Sequence, residues 1–389
     1  MKLYLRRPVP GRSKPRLLFL DDRERVVELA TGFVEHKSGK LSAKSIPLYA
    51  RRIRDLCAYL ERHEVFSAVR VDVALTQLSL SVIKDFLRDR EALGHKSQTL
   101  RGYEITIREL CKWLPSAEAG NALSRDPFVS DSWLTAKPIS ELPALTTVDV
   151  VIRLLMHMNF EEHRMVAHFM FDTGLRISEV GRVLKSDIPD PTQYPRSVMY
   201  FPLFVRGVKG RQDEVNHRAT IISRAMIARI NKYHNSSHYI RSARKLVESH
   251  QSGVKQAESP AAFLPAFLNT EGKALTQDAI ENFIRDAAKR ADLHISSHKL
   301  RHGTGYSILR SEHGKTMLDN LIILKKALGH KLLSTTEGYT NVPAVALARN
   351  ALNTHPEDIV FRFEEAQSIF DQTYLASHSQ LRKRRGVAS

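Results

Sequence analysis

Apolar residues recur at helical spacing along most of the chain and at strand spacing in one place. In SAKSIPLYARRIRDLCAYLERH the residues Ile46, Tyr49, Ile53, Leu56, Cys57 and Leu60 fall on one face, with the arginines opposite. LSLSVIKDFLRDREALG and SQTLRGYEITIRELCKWL repeat the arrangement. Residues 22–114 therefore predict a small all-helical domain of four modest helices. Ahead of them, residues 1–21 read as a flexible basic arm, because Pro8, Pro10, Gly11 and Pro15 block regular structure. Beyond them, residues 115–144 lose the apolar period and fill with Pro, Ser, Ala and Asp, the texture of a linker.

A second helical region opens at Thr146, where TTVDVVIRLLMHM reads as a cap followed by an amphipathic run. SVMYFPLFV and DEVNHRATII flank the basic turn VRGVKGRQ and predict a β-hairpin. Residues 235–261 are polar and read as surface helix and loop. In EDIVFRFEEAQSIFDQTYL, Ile359, Phe363, Ala366, Phe370 and Thr373 lie near one stripe of a final helix, which the cationic tail LRKRRGVAS follows. The fold class this predicts is mainly α with a small antiparallel β-sheet. An α+β domain spans residues 145–350, and a helix and tail span 351–389.

Charge changes this picture most. The 389 residues carry 59 Lys and Arg against 42 Asp and Glu, a formal net charge of +17 and a pI near 9.9. Such an excess favours a polyanionic partner, since each phosphate neutralised by Lys or Arg releases condensed counterions. A hydrophobic content of 42% is enough to build two cores. The sequence has no apolar run long enough to span a bilayer and no signal-peptide core. Cys57 and Cys111 sit in helical patterns as buried thiols, which fits a reducing cytoplasm.

Four separated pieces ask for a joint explanation. FDTGLRISEVGRV holds Arg176 and Glu179, and the hairpin turn RGVKGRQ holds Lys209. SSHKLRHGTGY holds His298 and Arg301, one helical turn apart and on one face. KKALGHKLLSTTEGYTNV holds His330 and Tyr339, and Ser334-x-x-Glu337 has the form of a capping box that places the tyrosine near a helix start. A nucleophile, two arginines, a lysine and two histidines are an inventory for cutting a phosphodiester without a metal.

The chemistry explains why these residue types are needed. Attack on phosphorus builds a second negative charge on the non-bridging oxygens, and two guanidiniums can bind those oxygens in bidentate fashion. A phenol, with a pKa of about 10, is a weak nucleophile at neutral pH. Cationic neighbours and a helix N-terminus lower that value, and a histidine can take the proton. The departing 5′-oxygen is a strong base and needs an acid, for which a lysine on a hairpin is suited. Taken singly, each residue has an ordinary structural reading: a surface arginine, a solvated lysine, a packed tyrosine. The ordered set favours function. His163 and His168, five apart with no third ligand, do not make a metal site.

TGLRISEV, the lysine hairpin, HKLRHGTGY and LGHKLLSTTEGYTNV resemble the catalytic boxes of the tyrosine recombinases, the lambda-type integrase family. The resemblance covers about residues 140–345 and keeps the family's order. Gly305 stands where members often carry a small residue such as alanine. Residues 22–114 are similar in position and pattern to the family's helical core-binding domain, so the resemblance implies a two-domain DNA clamp.

The resemblance also implies roles. Arg176 and Arg301 would hold the scissile phosphate, Tyr339 would be the nucleophile and Lys209 the general acid, although the same turn offers Arg206 and Arg211. His298 would assist proton transfer, His330 would hydrogen-bond the phosphate or position its neighbours, and Glu179 would orient the active-site groups. No cofactor or metal is expected. The expected partner is double-stranded DNA at specific recombination sites, bound by a homo-tetramer in the cytoplasm at the nucleoid, with accessory DNA-bending or directionality factors and no membrane. The extra residues at 235–261 and after 345 point to the integrase or transposase of a mobile element. The competing expectations are a type IB topoisomerase-like nicking-rejoining enzyme and a non-catalytic DNA-binding protein of the same fold. The final helix is expected to dock either on its own domain or on a neighbouring protomer.

Overall fold

The computed structural model describes residues 1–6, 16–41, 45–128, 132–138, 146–208, 216–251, 263–311, 314, 316–329 and 361–376. The chain divides into two compact units, Met1–Glu141 and Leu142–Ser389.

The first unit begins with a β-hairpin. Strands β1 (Lys2–Arg6) and β2 (Arg16–Leu20) pair antiparallel from Lys2↔Leu20 to Arg6↔Arg16. This corrects the expectation of a flexible arm over residues 1–21. The prolines and glycine behind that expectation lie within residues 7–15, outside the described residues. The flanking segments alternate, which gives the hairpin an apolar face: Phe19 is fully buried, and Leu3 and Leu17 pack on the helical core.

Helices α1 (Glu28–Ser38), α2 (Ile46–Arg62), α3 (Val71–Thr76), α4 (Leu80–Ala92) and α5 (Ser97–Trp113) build that core. On α2 the buried face is Ile46, Ala50, Ile53, Leu56, Cys57 and Leu60, with Pro47 in the first turn, where its missing N–H costs nothing. Ser79 caps α4 by accepting from the Val82 amide. Cys57 and Cys111 are fully buried, and burial pushes both thiols far above the ordinary value.

The stretch read as linker, 115–144, is in its described part a portion of this unit. Ala119 and Leu123 join the core, and Phe128 and Leu134 pack against it. The reason is Glu104 on α5, which has 0% exposure. Its carboxylate accepts from the Leu134 amide at 2.8 Å, the Thr135 amide at 2.9 Å, the Thr135 hydroxyl at 2.6 Å and Arg108 at 3.1 Å. The Arg101 and Arg108 guanidiniums lie 3.2 and 4.9 Å from the centroid of the Trp133 ring. A polar texture signalled a linker because the docking partner is one buried carboxylate, not an apolar stripe.

The second unit contains α6 (Val148–Met156), α7 (Glu161–Thr173), α8 (Ile177–Val180), β3 (Tyr200–Val208), β4 (Asn216–Ser223), α9 (Arg224–His234), α10 (Ser237–Gln251), α11 (Gln277–Arg290), α12 (Ser297–Leu309), α13 (Met317–Leu328) and α14 (Arg362–Thr373). Helix α7 is its axis, with every residue from Arg164 to Thr173 buried. Helix α12 approaches α7 closely because Gly303 is a glycine: a Cβ there would meet Cε2 of Phe171 at 2.7 Å. Beside it the Thr304 hydroxyl donates to the Phe171 carbonyl. Strands β3 and β4 pair from Tyr200↔Ser223 to Val205↔Arg218, then shift register through a bulge to Val208↔Asn216.

Helix α14 docks on its own unit, with Ala366, Ile369, Phe370 and Thr373 buried. Phe363, expected on the buried stripe, is half-buried, and Ile359 lies outside the described residues. Two buried arginines hold the end of α14: Arg164 donates to the Thr373 carbonyl at 2.9 Å, and Arg229 donates to the Thr373 hydroxyl at 2.9 Å. Among the described residues no helix is long and apolar enough to cross a membrane.

Candidate functional site

The site is built at the C-terminal end of α7. Gly174 ends that helix at φ +64°, a left-handed conformation that glycine adopts without strain. Space demands glycine as well: a Cβ at 174 would meet Cδ2 of Leu328 at 2.6 Å and Cγ2 of Thr304 at 3.1 Å. One small residue thus lets α7, α12 and the end of α13 meet. Two residues later Arg176 caps the short α8, and Glu179 on that turn is 1% exposed. The Glu179 carboxylate accepts from the Arg176 amide at 2.7 Å and from Arg176 Nη1 at 3.0 Å. Burial pushes the Glu179 carboxyl up, but hydrogen bonds and charge from Arg218, followed by those of Arg176, outweigh it and hold the group below the usual carboxylate range.

Arg301 joins from α12. Its side chain is 3% exposed, and its guanidinium donates to the carbonyls of Gly174 and Leu328, the C-terminal ends of α7 and α13. Those carbonyls are the negative poles of two helices, so a buried cation is stabilised there. His298, exposed in the first turn of α12, has its pKa lowered by desolvation and then by the charges of Arg301 and Arg176. His302 meets the His298 ring edge-on at 4.3 Å, and its pKa is lowered to about 4 by burial, His298 and Arg301. Among the described residues, the structure therefore brings Arg176, Glu179, His298 and Arg301 into one cluster. Lys209, His330 and Tyr339 lie outside the described residues, as does the expected capping box at Ser334 and Glu337.

The sequence reading missed one member of the cluster. Arg218 on β4 donates through Nη2 to Glu179 Oε2 at 2.7 Å and through Nη1 to the Ala327 carbonyl. Its stem lies against Gly329, the left-handed cap of α13 at φ +64°, where a Cβ would meet Arg218 Cδ at 2.6 Å. The only signal in the sequence was a basic residue in the second strand of a hairpin, which carries no function by itself. Arg206, one of the alternatives to Lys209, is held by Asp187, with Nη2 2.8 Å from Oδ1. Arg211 lies outside the described residues.

The histidines set aside as a metal pair have other work. His163 stacks on Phe283 with ring centroids 4.2 Å apart, and buried His168 faces Arg229 at 3.2 Å. The cluster is chemically suited to an anion. Arg176 is 35% exposed and, among the described residues, spends only Nη1 of its guanidinium on a hydrogen bond. Its Nε and Nη2 form an open edge of the kind that takes two oxygens of a phosphate or carboxylate.

Known proteins share this architecture. The model of the phage integrase family matches residues 145–345, just over half of the chain. The tyrosine recombinase XerD of Staphylococcus epidermidis is 23% identical over 339 residues, covering 85% of this chain and 98% of that protein. Among solved structures, the XerH site-specific recombinase in a post-cleavage complex with palindromic difH substrate is similar with a TM-score of 0.54 and 18% identity, over 80% of each chain. The Tn1549 transposon integrase in complex with circular intermediate DNA gives a TM-score of 0.56 at 14% identity, over 84% of this chain and 99% of that one. At these identities the two structures speak to the fold.

Proposed function

The chain belongs to the phage integrase family, the tyrosine recombinases, and from that premise we propose that it cuts and rejoins DNA at specific sites through a 3′-phosphotyrosyl intermediate on Tyr339. The carrying observation is the convergence of Arg176 and Arg301, which lie 125 positions apart in the sequence, on the end of α7 through Glu179 and the Gly174 carbonyl. In this reading the Tyr339 oxygen attacks phosphorus and the bond to the 5′-oxygen breaks. The phenolic proton passes to a histidine, His298 or His330, and Lys209 gives a proton to the departing 5′-hydroxyl. Arg176 and Arg301 neutralise the charge that builds on the non-bridging oxygens. The ester formed keeps the energy of the bond it replaced, so rejoining needs no ATP.

In this proposal both the helical first unit and the second unit contact the DNA, with basic residues of the N-terminal segment and the LRKRR tail on phosphates. The working assembly is a homo-tetramer on DNA in the cytoplasm. The extra length at 235–261 and after 345 supports a mobile-element integrase.

The test uses the full-length protein and a duplex that it selects from a randomised pool, nicked within the selected site. Wild type should leave a covalent adduct on a denaturing gel, Tyr339→Phe none, and Arg176→Ala and Arg301→Ala should each form it about 10²–10³-fold more slowly. An adduct from Tyr339→Phe would remove that residue from its role. Relaxation of supercoils without joining of two sites would favour a topoisomerase-like enzyme.

A further inference from the structure

Glu179 is shared by two guanidiniums. Its Oε2 takes the Arg176 amide at 2.7 Å and Arg218 Nη2 at 2.7 Å, and its Oε1 takes Arg176 Nη1 at 3.0 Å and Arg218 Nε at 3.4 Å. Arg218 therefore occupies the acceptor positions that would let Arg176 close on the carboxylate with both edges of its fork. Held to one side-chain bond, Arg176 keeps its Nε and Nη2 edge uncommitted among the described residues. The other arm of Arg218 reaches the Ala327 carbonyl in the last turn of α13, from which the chain runs through Gly329 to His330. Arg218 is 9% exposed, so it is itself poorly placed to meet a ligand.

We propose that Arg218 is a positioning residue for strand cleavage: it keeps Arg176 turned outward by competing for Glu179, and it ties that pair to the end of α13. The inference rests on the cleavage reading above. A buried arginine–glutamate pair that served only stability could be replaced by apolar residues of similar volume with little loss. This pair instead joins three separated segments, those of Arg176, of the hairpin and of the run leading to His330, at a point where two cations compete for one anion. With Arg218 gone, the stronger fork-to-carboxylate arrangement becomes available to Arg176, and the open edge is withdrawn.

The experiment compares wild type, Arg218→Gln, Arg218→Lys and the double variant Glu179→Gln with Arg218→Gln, all full-length, on the nicked duplex described above. Adduct formation is timed at saturating duplex, and duplex affinity and thermal unfolding are measured alongside. Arg218→Gln should slow adduct formation about 10²-fold, the scale of a small misplacement in an active site, with duplex affinity unchanged. Arg218→Lys, which keeps the charge but not the fork, should recover part of that rate. The double variant should be no slower than Arg218→Gln, because no carboxylate remains to trap Arg176. A wild-type rate in Arg218→Gln overturns the proposal. So does a double variant whose losses simply multiply, with no recovery by lysine, the pattern of a purely structural role. If Arg218→Gln fails to fold, Arg218→Lys decides alone: a wild-type rate sinks the idea and a partial loss supports it. Wild type that forms no adduct on any selected duplex fails the cleavage reading itself and takes this inference with it.

Discussion

Glu104 in the first unit and Glu179 in the second are both buried, at 0% and 1% exposure, and both are held below the usual carboxylate range although burial pushes them up. Their partners differ in kind. Glu104 takes two backbone amides, a hydroxyl and Arg108, which sits four residues on along the same helix. Its donors are mostly neutral and close to its own charge needs, so the group is saturated and the segment 132–135 is fastened. Glu179 takes one amide and two guanidiniums, one of them from a strand 39 residues away. There the cations exceed the anion, and one guanidinium remains a third exposed. A satisfied buried carboxylate is architecture. A buried carboxylate outnumbered by arginines leaves a cationic edge, the one that the proposed function assigns to a phosphate.

Three measurements press on that contrast, from the largest effect to the smallest. Glu179→Ala leaves Arg218 buried without its counter-charge, a loss on the order of 3–5 kcal/mol in denaturant unfolding. Adduct formation should fall with it by at least about 10²-fold. Glu104→Gln should cost about 1–3 kcal/mol, the penalty for weakened buried donors, and should increase chymotryptic cutting after Trp133 while the folded protein keeps its rate of adduct formation. If Glu104→Gln lost that rate as fully as Glu179→Ala, the two glutamates would not be different in kind.

The smallest effect is on acid stability. Both folded carboxyls lie below their unfolded value of about 4.3, so their contribution is fully present above that pH and is lost as pH falls through the lower folded values. Wild type should therefore lose stability on acidification below that point. Glu179→Gln and Glu104→Gln should each show a shallower loss, read as unfolding midpoints across that range. An unchanged slope in both variants would mean that neither carboxylate is ionised through these contacts.

Much of the fold was legible because it follows from periodicity. The face of α2 is buried nearly as its pattern required, with Ala50 taking a place inside and Tyr49 left half-buried. The hairpin of β3 and β4 follows from alternation on either side of a basic turn. What periodicity could not show was contact made by a single polar atom. The docking of residues 132–135 and the seat of α14 rest on Glu104, Arg164 and Arg229, one residue at a time. Arg362 is 3% exposed at the start of α14, donating to Ser307 at 2.9 Å, although its charge reads as a surface residue. Burial of a paired arginine has no signature in composition.

The sequence by itself determined the chemistry on offer: which residue types are present, in which order, and on which elements they stand. Arg176, Glu179, His298 and Arg301 could be named because each lies in a short motif whose spacing is local. Only the tertiary structure decided who answers to whom. Arg218 competes with Arg176 for Glu179, and Gly174 and Gly329 hold open the gap in which α7, α12, α13 and β4 meet. The reason is physical. Hydrogen bonds and charge pairs act over a few ångströms between segments that the chain separates by tens to hundreds of residues, and one-dimensional spacing carries no record of that distance.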